Sequence, residues 1–373
     1  MKMNKWTVGL AAAGLVGLTS VAQAQDANSV QTKLATTSLS GYVSTSYQWA
    51  MGDAGGQLED AGTNYSVGGD KRDRFALDII SLTLASPKSA GDWGAGYNVQ
   101  LWLGPDASDI LNNDDDGEVA VKNAYVSLNV PMGKGLDVKL GRFDTILGME
   151  SLDYNLNPHY SHSWGFAIEP TIHEGLSASY QLTDNIGLTL MLANTIDATS
   201  NANSGDGDRK TYGVALSLEA PESLGFLSGS TLDVAYINGK TDTGADAIQN
   251  LYIAASVPLP VDKLSAGVAF DTRKDGGGDG QSDSVMGVYV EYAASDKLTL
   301  NLRGERVEDG PSLNIGSATN NSDAWDLTIT ANYKLWDGVS TRLEYRNTTL
   351  DSSEGAAIDK NNSSVFANVI YEF

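Results

Sequence analysis

Polar and apolar residues alternate in sixteen separate segments of this chain, and this period of two limits the fold more than any other feature. In a β-strand, such alternation places apolar side chains on one face and polar side chains on the other. Each segment has about the 9–11 residues that a tilted strand needs to cross a bilayer. The predicted strands are 39–50, 74–86, 92–103, 119–130, 134–143, 173–183, 185–194, 210–219, 229–238, 249–257, 262–272, 284–294, 296–307, 323–334, 337–347 and 363–373.

The connectors between these segments alternate between short and long. Seven are short turns such as PMGKG and AASDK, and eight are long polar stretches such as 51–73 and 273–283. An even number of antiparallel strands with both chain ends at one rim requires this arrangement, whereas a β-sandwich has no reason to sort its connections by length. The sequence therefore predicts an all-β protein, an antiparallel up-and-down barrel of about sixteen strands over residues 39–373.

The surroundings of the two strand faces distinguish a soluble barrel from a membrane barrel. Segment 323–334 has Trp325 and Leu327 on one face, and Asp326 and Thr328 on the other. A soluble barrel points its apolar face inward, and a membrane barrel exchanges the two faces. The polar faces here are rich in Ser, Thr, Asn and Gln, as suits a lumen, and a closed ring satisfies every backbone group in lipid. We therefore predict a transmembrane barrel, with an aromatic girdle near the short turns at Tyr180, Tyr292, Tyr333, Tyr371 and Phe373.

The amino terminus has the pattern of a secretory signal peptide over residues 1–24. Lys2 and Lys5 precede a short apolar run, and Ala22-Gln23-Ala24 matches the small-x-small cleavage pattern. The alternative, a membrane anchor, is disfavoured because the apolar run is too short to span a bilayer. We expect export, a periplasmic segment over residues 25–38, and a mature barrel in the outer membrane of a Gram-negative cell.

Charge and composition exclude several functions. The formal net charge of −23, from 47 acidic and 24 basic residues, disfavours nucleic acid as a partner. Because the chain has no cysteine, disulfides, thiolate metal sites and thiol catalysis are excluded. We expect no cofactor.

The longest connection, residues 144–172, is unusually apolar and aromatic for an external loop. Sixteen strands enclose a water-filled channel unless something blocks it. This connection resembles the third external loop of general porins, which also follows the fifth strand and folds into the barrel. We predict that it constricts the pore; a subunit contact and an outer lid are the alternatives. The candidate constriction residues are Glu150, Asp153, Tyr154, Tyr160, Trp164 and Glu169.

Charged residues at lumen-facing positions of the predicted strands form a candidate pore wall. If the connection folds inward, we expect Glu150, Asp153 and Glu169 to face basic side chains of this wall. Opposed charges of this kind create a transverse field that orients polar solutes and sets ion preference. The strongly negative total charge indicates a preference for cations. The candidate wall residues are Lys139, Arg303, Glu305, Arg342, Glu344 and Arg346.

Two motifs have the ligand types of a metal site, and each has a simpler interpretation. His159 and His162 lie three residues apart with Glu169 nearby, but no predicted helix fixes their spacing. Residues 112–118 imitate the start of a calcium-binding loop, but Asn123 stands where the bidentate glutamate belongs. We therefore predict polar loop histidines, a solvated acidic loop and no metal.

Two other function classes remain open for a barrel of this kind. Ser161, His162 and Ser163 contain the residue types of a hydrolase, but neighbouring residues alone do not form a nucleophile, a base and an orienting partner. A structural or adhesive barrel is the other alternative, because long acidic loops serve that role too. We expect a protein that is not an enzyme.

Several short motifs between residues 121 and 182 resemble the OmpL-like β-barrel porin family. The resemblance implies an outer-membrane porin whose water-filled channel passes small hydrophilic solutes and ions by passive diffusion. After the seventh strand, Asn194-Thr195-Ile196 stands where the family has Asn-Gly-Trp. The matching elements are Ala124-Tyr125, Gly141-Arg142-Phe143, Gly148-x-Glu150, Tyr160-Ser161-x-Ser163, Glu169-Pro170 and Gly175.

The resemblance also implies partners. The aromatic strand that ends at Phe373 is similar to the signal that the outer-membrane insertion machinery of Gram-negative bacteria reads. We expect contacts with outer-membrane lipid and lipopolysaccharide. By analogy with general porins, the apolar exterior favours a homotrimer.

Overall fold

The computed structural model describes most of the barrel and few of the residues before it. The predicted signal peptide, most of the predicted segment 25–38 and the acidic stretch 112–118 lie outside the described residues. The described ranges are 29–31, 36–51, 71, 73–89, 91–111, 119–196, 210–240, 247–275, 282–308, 323–351 and 361–373.

Each of the sixteen predicted segments corresponds to one observed strand, with ends that differ by at most three residues. An additional short strand precedes them. The strands are β1 (Ser29–Gln31), β2 (Thr36–Met51), β3 (Phe75–Ser86), β4 (Ala95–Leu103), β5 (Val119–Val130), β6 (Leu136–Asp144), β7 (Ile172–Thr183), β8 (Ile186–Ala193), β9 (Thr211–Glu219), β10 (Thr231–Gly239), β11 (Ile248–Pro258), β12 (Leu264–Asp275), β13 (Ser282–Tyr292), β14 (Leu298–Glu308), β15 (Ala324–Trp336), β16 (Val339–Leu350) and β17 (Asn361–Glu372). Two short helices, α1 (Pro105–Leu111) and α2 (Trp164–Ile168), lie in long connectors.

Strands β2–β17 form one closed antiparallel ring. Each strand pairs with the next in the chain, and β17 pairs with β2 to close the ring. At this seam Val369 lies opposite Thr45, and the backbone N–H of Gly41 donates to the carbonyl oxygen of Phe373 at 3.0 Å. The three-residue strand β1 pairs with β2. The predicted all-β, sixteen-stranded up-and-down barrel is confirmed.

The strand faces have the membrane orientation. On β15, Trp325 is 57% exposed, whereas Asp326 and Thr328 are 4% and 0% exposed. Apolar side chains therefore point outward and polar side chains point into the ring, the arrangement of a barrel in lipid. None of the described helices is long and apolar enough to cross a membrane.

Two β-bulges turn charged residues inward that strict alternation would turn outward. On β3, Ser44 of β2 pairs with Ile79 and the next residue, Thr45, pairs with Leu77, so that Asp78 is the extra residue. Like the following Ile79, Asp78 has no exposed surface. A bulge disrupts the period of two and re-aims the side chains around it.

The second bulge lies on β5. Gln100 of β4 pairs with Asn123, and Leu101 pairs with Val121, which leaves Lys122 as the extra residue. Lys122 and Asn123 are both buried, at 0% and 5% exposure. The two bulges thus place the carboxylate of Asp78 and the ammonium group of Lys122 in the interior of the barrel, on strands β3 and β5 of the same wall.

Candidate pore constriction

Residues 145–171, the constriction loop, join β6 to β7 and run through the interior of the barrel. Their polar groups bond to side chains on β2–β5 at one side of the ring and on β11 and β14–β16 at the other. A segment within reach of both sides lies inside the ring. The loop thus takes the inward course that its apolar composition predicts. Its large buried side chains are Ile146, Leu147, Leu152, Tyr154, Tyr160, Trp164, Phe166 and Ile168.

Local sequence determines the course of the loop at two points. Helix α2 begins after Ser163, whose hydroxyl accepts a hydrogen bond from the backbone N–H of Phe166 at 3.0 Å, an N-cap contact. Gly148 adopts φ +94°, and a Cβ atom there would lie 2.3 Å from Oε2 of Glu169. Only glycine permits both this backbone conformation and the close approach of the carboxyl group.

The wall on β14–β16 binds mainly the backbone of the loop. Nη1 of Arg342 donates to the carbonyl oxygens of Tyr154, Asn157 and His159 at 3.0, 3.1 and 2.8 Å. The side-chain amide of Asn332 donates to the carbonyl oxygen of Pro158 at 2.7 Å. These contacts satisfy the carbonyl groups of a segment that has no strand partner.

Two further arginines hold the next turn of the loop. Arg303 donates to the carbonyl oxygens of Ser161 and His162 at 2.9 and 3.1 Å, and Arg346 donates to that of His162 at 2.8 Å. Arg303 also forms an ion pair with Glu150 at 2.9 Å. The guanidinium planes present several N–H groups in fixed directions, which suits neighbouring carbonyl oxygens.

Acidic wall residues accept the backbone N–H groups of the same segment. Glu344 accepts from the N–H groups of Tyr160 and Ser161 at 2.6 and 3.0 Å. Glu305 accepts from that of Trp164 at 2.7 Å, and its other oxygen lies 3.0 Å from Nε of Arg303. The backbone N–H and carbonyl groups of this loop segment therefore both form hydrogen bonds with charged side chains of the wall.

The opposite wall, on β2–β5, binds mainly loop side chains. Oδ2 of Asp153 accepts from Nζ of Lys122 at 2.8 Å. Its Oδ1 accepts from Nε2 of Gln100 at 2.7 Å and from the hydroxyl of Tyr42 at 3.1 Å. Lys122 also donates to Asp144 at 2.7 Å, so two carboxylates neutralise this fully buried ammonium.

Two tyrosines of the loop reach acidic groups on this wall. The hydroxyl of Tyr160 donates to Oδ1 of Asp78 at 2.8 Å, and that of Tyr154 donates to Asp106 of α1 at 2.6 Å. Lys71 forms ion pairs with both Asp78 and Asp106. Burial raises the pKa of Asp106 to about 7, although the positive charge of Lys71 opposes this shift.

Within the described residues, Glu169 faces a carboxyl group and no basic side chain, so that expectation was wrong. It forms a side-chain hydrogen bond with Asp271 of β12. Two carboxyl groups bond in this way only when they share a proton, because two adjacent negative charges repel. Burial, and then the charge of Asp271, raise the pKa of Glu169 well above its ordinary value of 4.5.

The loop histidines form hydrogen bonds within the barrel. Nδ1 of His159 lies 2.7 Å from the hydroxyl of Thr330, and Nε2 of His162 lies 2.8 Å from the carbonyl oxygen of Ser151. Burial, followed by the positive charge of Arg303, holds the pKa of His159 well below its ordinary value. Within the described residues, no group of three or more His, Asp or Glu side chains could hold a metal ion.

The predicted site residues separate into three sets. All predicted wall residues except Lys139 contact the loop. Lys139 instead lies over the ring of Tyr125, with its Nζ 5.2 Å from the ring centroid. All six predicted constriction residues are in the loop and bond to the wall. Of the predicted girdle residues, Tyr180 is half-buried, and the other four are exposed on the outer face at 41–49%: Tyr292, Tyr333, Tyr371 and Phe373.

Asn368 on the closing strand connects the seam of the barrel to the loop. Its amide oxygen accepts from Nε and Nη2 of Arg342 at 2.9 and 2.7 Å. Its amide nitrogen donates to the hydroxyl of Ser44 and the carbonyl oxygen of Thr45 on β2, at 2.8 and 2.9 Å. The arginine that binds three loop carbonyls is therefore oriented by a residue of the β17–β2 pair.

Sequence reasoning missed Lys122, Asp78 and Asp271 as site residues. Lys122 and Asp78 are the extra residues of bulges, where the alternation on which the prediction depended fails. Asp271 follows regular alternation, opposite Tyr252 of β11. A search for every charged residue at a lumen position of 262–272 would have found it.

Solved structures share this fold. OmpF of Salmonella typhi in complex with daunomycin has a TM-score of 0.63 at 14% identity, with 92% of this chain and 100% of that chain covered. The outer membrane channel DcaP of Acinetobacter baumannii has a TM-score of 0.62 at 16% identity, with coverage of 93% and 100%. The anion-selective porin from Comamonas acidovorans has a TM-score of 0.58 at 13% identity, with coverage of 90% and 99%. At these identities the similarity shows the fold alone.

The sequence itself matches a family over nearly its whole length. A search of curated protein sequences finds no match. The family described as "Putative beta-barrel porin-2, OmpL-like" matches residues 36–373, from the first residue of β2 to the end of the chain. The resemblance inferred from residues 121–182 is confirmed. This chain belongs to the OmpL-like β-barrel porin family, and its place is the outer membrane.

Proposed function

We propose that the protein is a narrow porin through which small hydrophilic solutes and ions diffuse passively across the outer membrane. The observation that carries this proposal is the constriction loop inside the ring, bound to charged side chains on both walls. A ring of sixteen strands alone would leave a wide aqueous channel. The loop reduces that channel, because at its level Arg303, Glu305 and Glu344 are at most 1% exposed.

The ion pairs at this level support a narrow pore more than a strong transverse field. Glu150 is paired with Arg303, and Asp153 with Lys122, at contact distance. Charges that neutralise each other by contact project a weaker field than charges that face each other across water. Selection at this level therefore acts mainly by size.

We propose a cation preference for small inorganic ions. Its support is the total charge of −23, which attracts cations to the mouth of the channel. The fold alone does not decide selectivity, because a protein of the same fold is an anion-selective porin. The sign of the reversal potential across a salt gradient tests this part of the proposal.

Single-channel recording in planar bilayers tests the main proposal. We expect discrete ohmic steps of low amplitude, and no steps from correctly folded protein would contradict it and favour a structural or adhesive barrel. A variant with Ser161→Ala and His162→Gln should still give steps. Loss of an assayed hydrolytic activity in that variant would instead favour the enzyme alternative.

We further propose export by the signal peptide 1–24, insertion through the aromatic β17 strand, contact with lipid and lipopolysaccharide, and assembly as a homotrimer. The apolar outer face of the strands supports the last two. An oligomer band that disappears on heating in mild electrophoresis is the expected observation for the trimer. A monomer band at every temperature would contradict it.

A further inference from the structure

A cavity of about 230 Å³ lies between the constriction loop and the short turns of β13–β17. The loop residues that line it include Met149, Leu156 and Pro158, and Ile370 of β17 adds apolar surface from the wall. Its volume is below the ~300–1,000 Å³ of pockets for drug-sized ligands, so its occupant is a smaller solute.

Three basic residues line the middle of the cavity wall. Arg342 of β16 lies beside Asn332 of β15, and Asn332 in turn lies beside Thr299 of β14. Lys334 is two residues beyond Asn332 toward the turn, and Lys297 directly precedes β14. All five residues line the cavity, so that three positive charges come from neighbouring strands.

These positive charges are not paired with carboxylates in the described part of the chain. The bonded acceptors of Arg342 are three carbonyl oxygens and the amide oxygen of Asn368, which are all neutral. Lys297 and Lys334 are exposed, and no described carboxylate forms an ion pair with either. The exposed ammonium groups of Lys297 and Lys334 are therefore available to an anionic solute. The N–H groups of buried Arg342, in contrast, are bonded to the loop and to Asn368, so that Arg342 contributes positive charge alone.

The two acidic residues that line the cavity lie at its edges. Glu291 is on β13 and Glu372 is on β17. Since neighbouring strands are about 4.8 Å apart, these carboxylates are separated by roughly 19 Å around the wall, with the basic residues between them. The charge pattern therefore favours an anionic group at the centre of the cavity.

We propose that this cavity is a binding subsite for a small solute with a carboxylate group and a short apolar body. The carboxylate binds between Lys297 and Lys334, near the buried positive charge of Arg342, and the apolar body lies against Met149 and Leu156. This inference rests on the proposed function, since it names the class of solute that the channel holds on its way through.

Calorimetric titration of the folded protein in detergent micelles with butyrate tests the subsite without transport. At low ionic strength, where charges are least screened, butyrate should bind more tightly than butyramide, which lacks the charge, and butylammonium, which reverses it. Equal binding of the three probes, tightest binding of butylammonium, or no binding of butyrate would overturn the proposal.

Matched variants locate the binding. Lys297→Gln with Lys334→Gln should weaken butyrate binding roughly fivefold, because two charge contacts are lost. Lys297→Arg with Lys334→Arg should preserve it. The control, Lys134→Gln with Lys263→Gln, removes the same charge from other short turns and should leave binding unchanged; equal weakening in the control would overturn the proposed location.

Together, the binding and conductance experiments distinguish failure of the subsite proposal from failure of the porin proposal. Butyrate binding in a protein that gives no conductance steps would preserve the subsite and contradict the porin proposal. Conductance steps without butyrate binding would preserve the porin and overturn the subsite.

Discussion

The two walls that hold the constriction loop use different chemistry. The wall on β14–β16 binds loop carbonyl and N–H groups, as Arg342 and Glu344 illustrate. The wall on β2–β5 binds loop side chains, as the pairs Lys122–Asp153 and Asp78–Tyr160 illustrate. Backbone groups are common to all residues, so the first wall fixes where the loop runs, and the second wall fixes which side chains it carries.

The largest effect is expected where one side chain holds the loop path. Arg342→Met leaves three carbonyl oxygens without their donor, so the free energy of unfolding should fall by about 3–5 kcal/mol. Single-channel conductance should rise because residues 154–159 lose their anchor. Thermal unfolding in detergent and planar-bilayer recording measure the two effects.

Arg306→Met is the matched control for this variant. Arg306 lies on β14, two strands from Arg342, and pairs with Asp323 and Asp351, with 29% of its side chain exposed. Its loss should cost about 1 kcal/mol or less and leave the conductance unchanged. Equal effects of the two variants would break the distinction between a wall that holds the path and an ordinary surface pair.

Asp153→Asn tests the wall that binds side chains. It removes one of the two carboxylates that neutralise buried Lys122, and Asp144 remains. We expect a loss of about 1–3 kcal/mol in the free energy of unfolding, with a smaller change in conductance than Arg342→Met gives. Asp184→Asn, which removes the carboxylate of an exposed pair with Lys134, should leave the unfolding midpoint where it is.

Two neighbouring loop residues sharpen the comparison. Tyr160→Phe removes the hydroxyl bonded to Asp78 and should cost about 1.5 kcal/mol. Ser161→Ala removes a hydroxyl that donates to Glu344 at 2.5 Å, but it should cost only about 1 kcal/mol, because the backbone N–H of residue 161 still donates to the same carboxylate. Chemical unfolding of both variants in lipid vesicles measures the difference; a greater loss for Ser161→Ala would reverse our assignment of the walls.

Glu169→Gln should have the smallest effect wherever the pH lies below the raised folded-state pKa of this carboxyl group, because the group is protonated there. A group whose folded-state pKa is raised contributes stability that is complete below its ordinary value of 4.5 and is lost as the pH rises through the folded-state value. The variant should therefore exceed the parent in unfolding temperature at alkaline pH.

Unfolding temperatures measured from pH 5 to pH 9 check this prediction. Asp271 and Glu150 also act on this group. The control is Asp184→Asn, which removes an exposed carboxylate in the turn between β7 and β8. Identical pH profiles of Glu169→Gln and the parent protein would show that Glu169 does not titrate in this range.

The fold was predictable because strand length, alternation and connector length all point to one arrangement. Alternation also found Arg303 and Arg342, since both lie in regular stretches of strand. It failed at Lys122 and Asp78, because a single extra residue on one strand changes which side chains point inward. It also failed to pair Glu169 with Asp271, since alternation gives the face of a residue and not its partner across the lumen.

The contacts of Asn368 have a consequence for assembly. This residue belongs to the strand that closes the ring, and it both orients Arg342 toward the loop and bonds to β2 across the seam. While β17 and β2 are apart, Asn368 lacks two of its bonded partners, Ser44 and Thr45 of β2. Closure of the ring and anchoring of the plug therefore share one side chain, so that opening of the seam would also loosen the segment that narrows the channel.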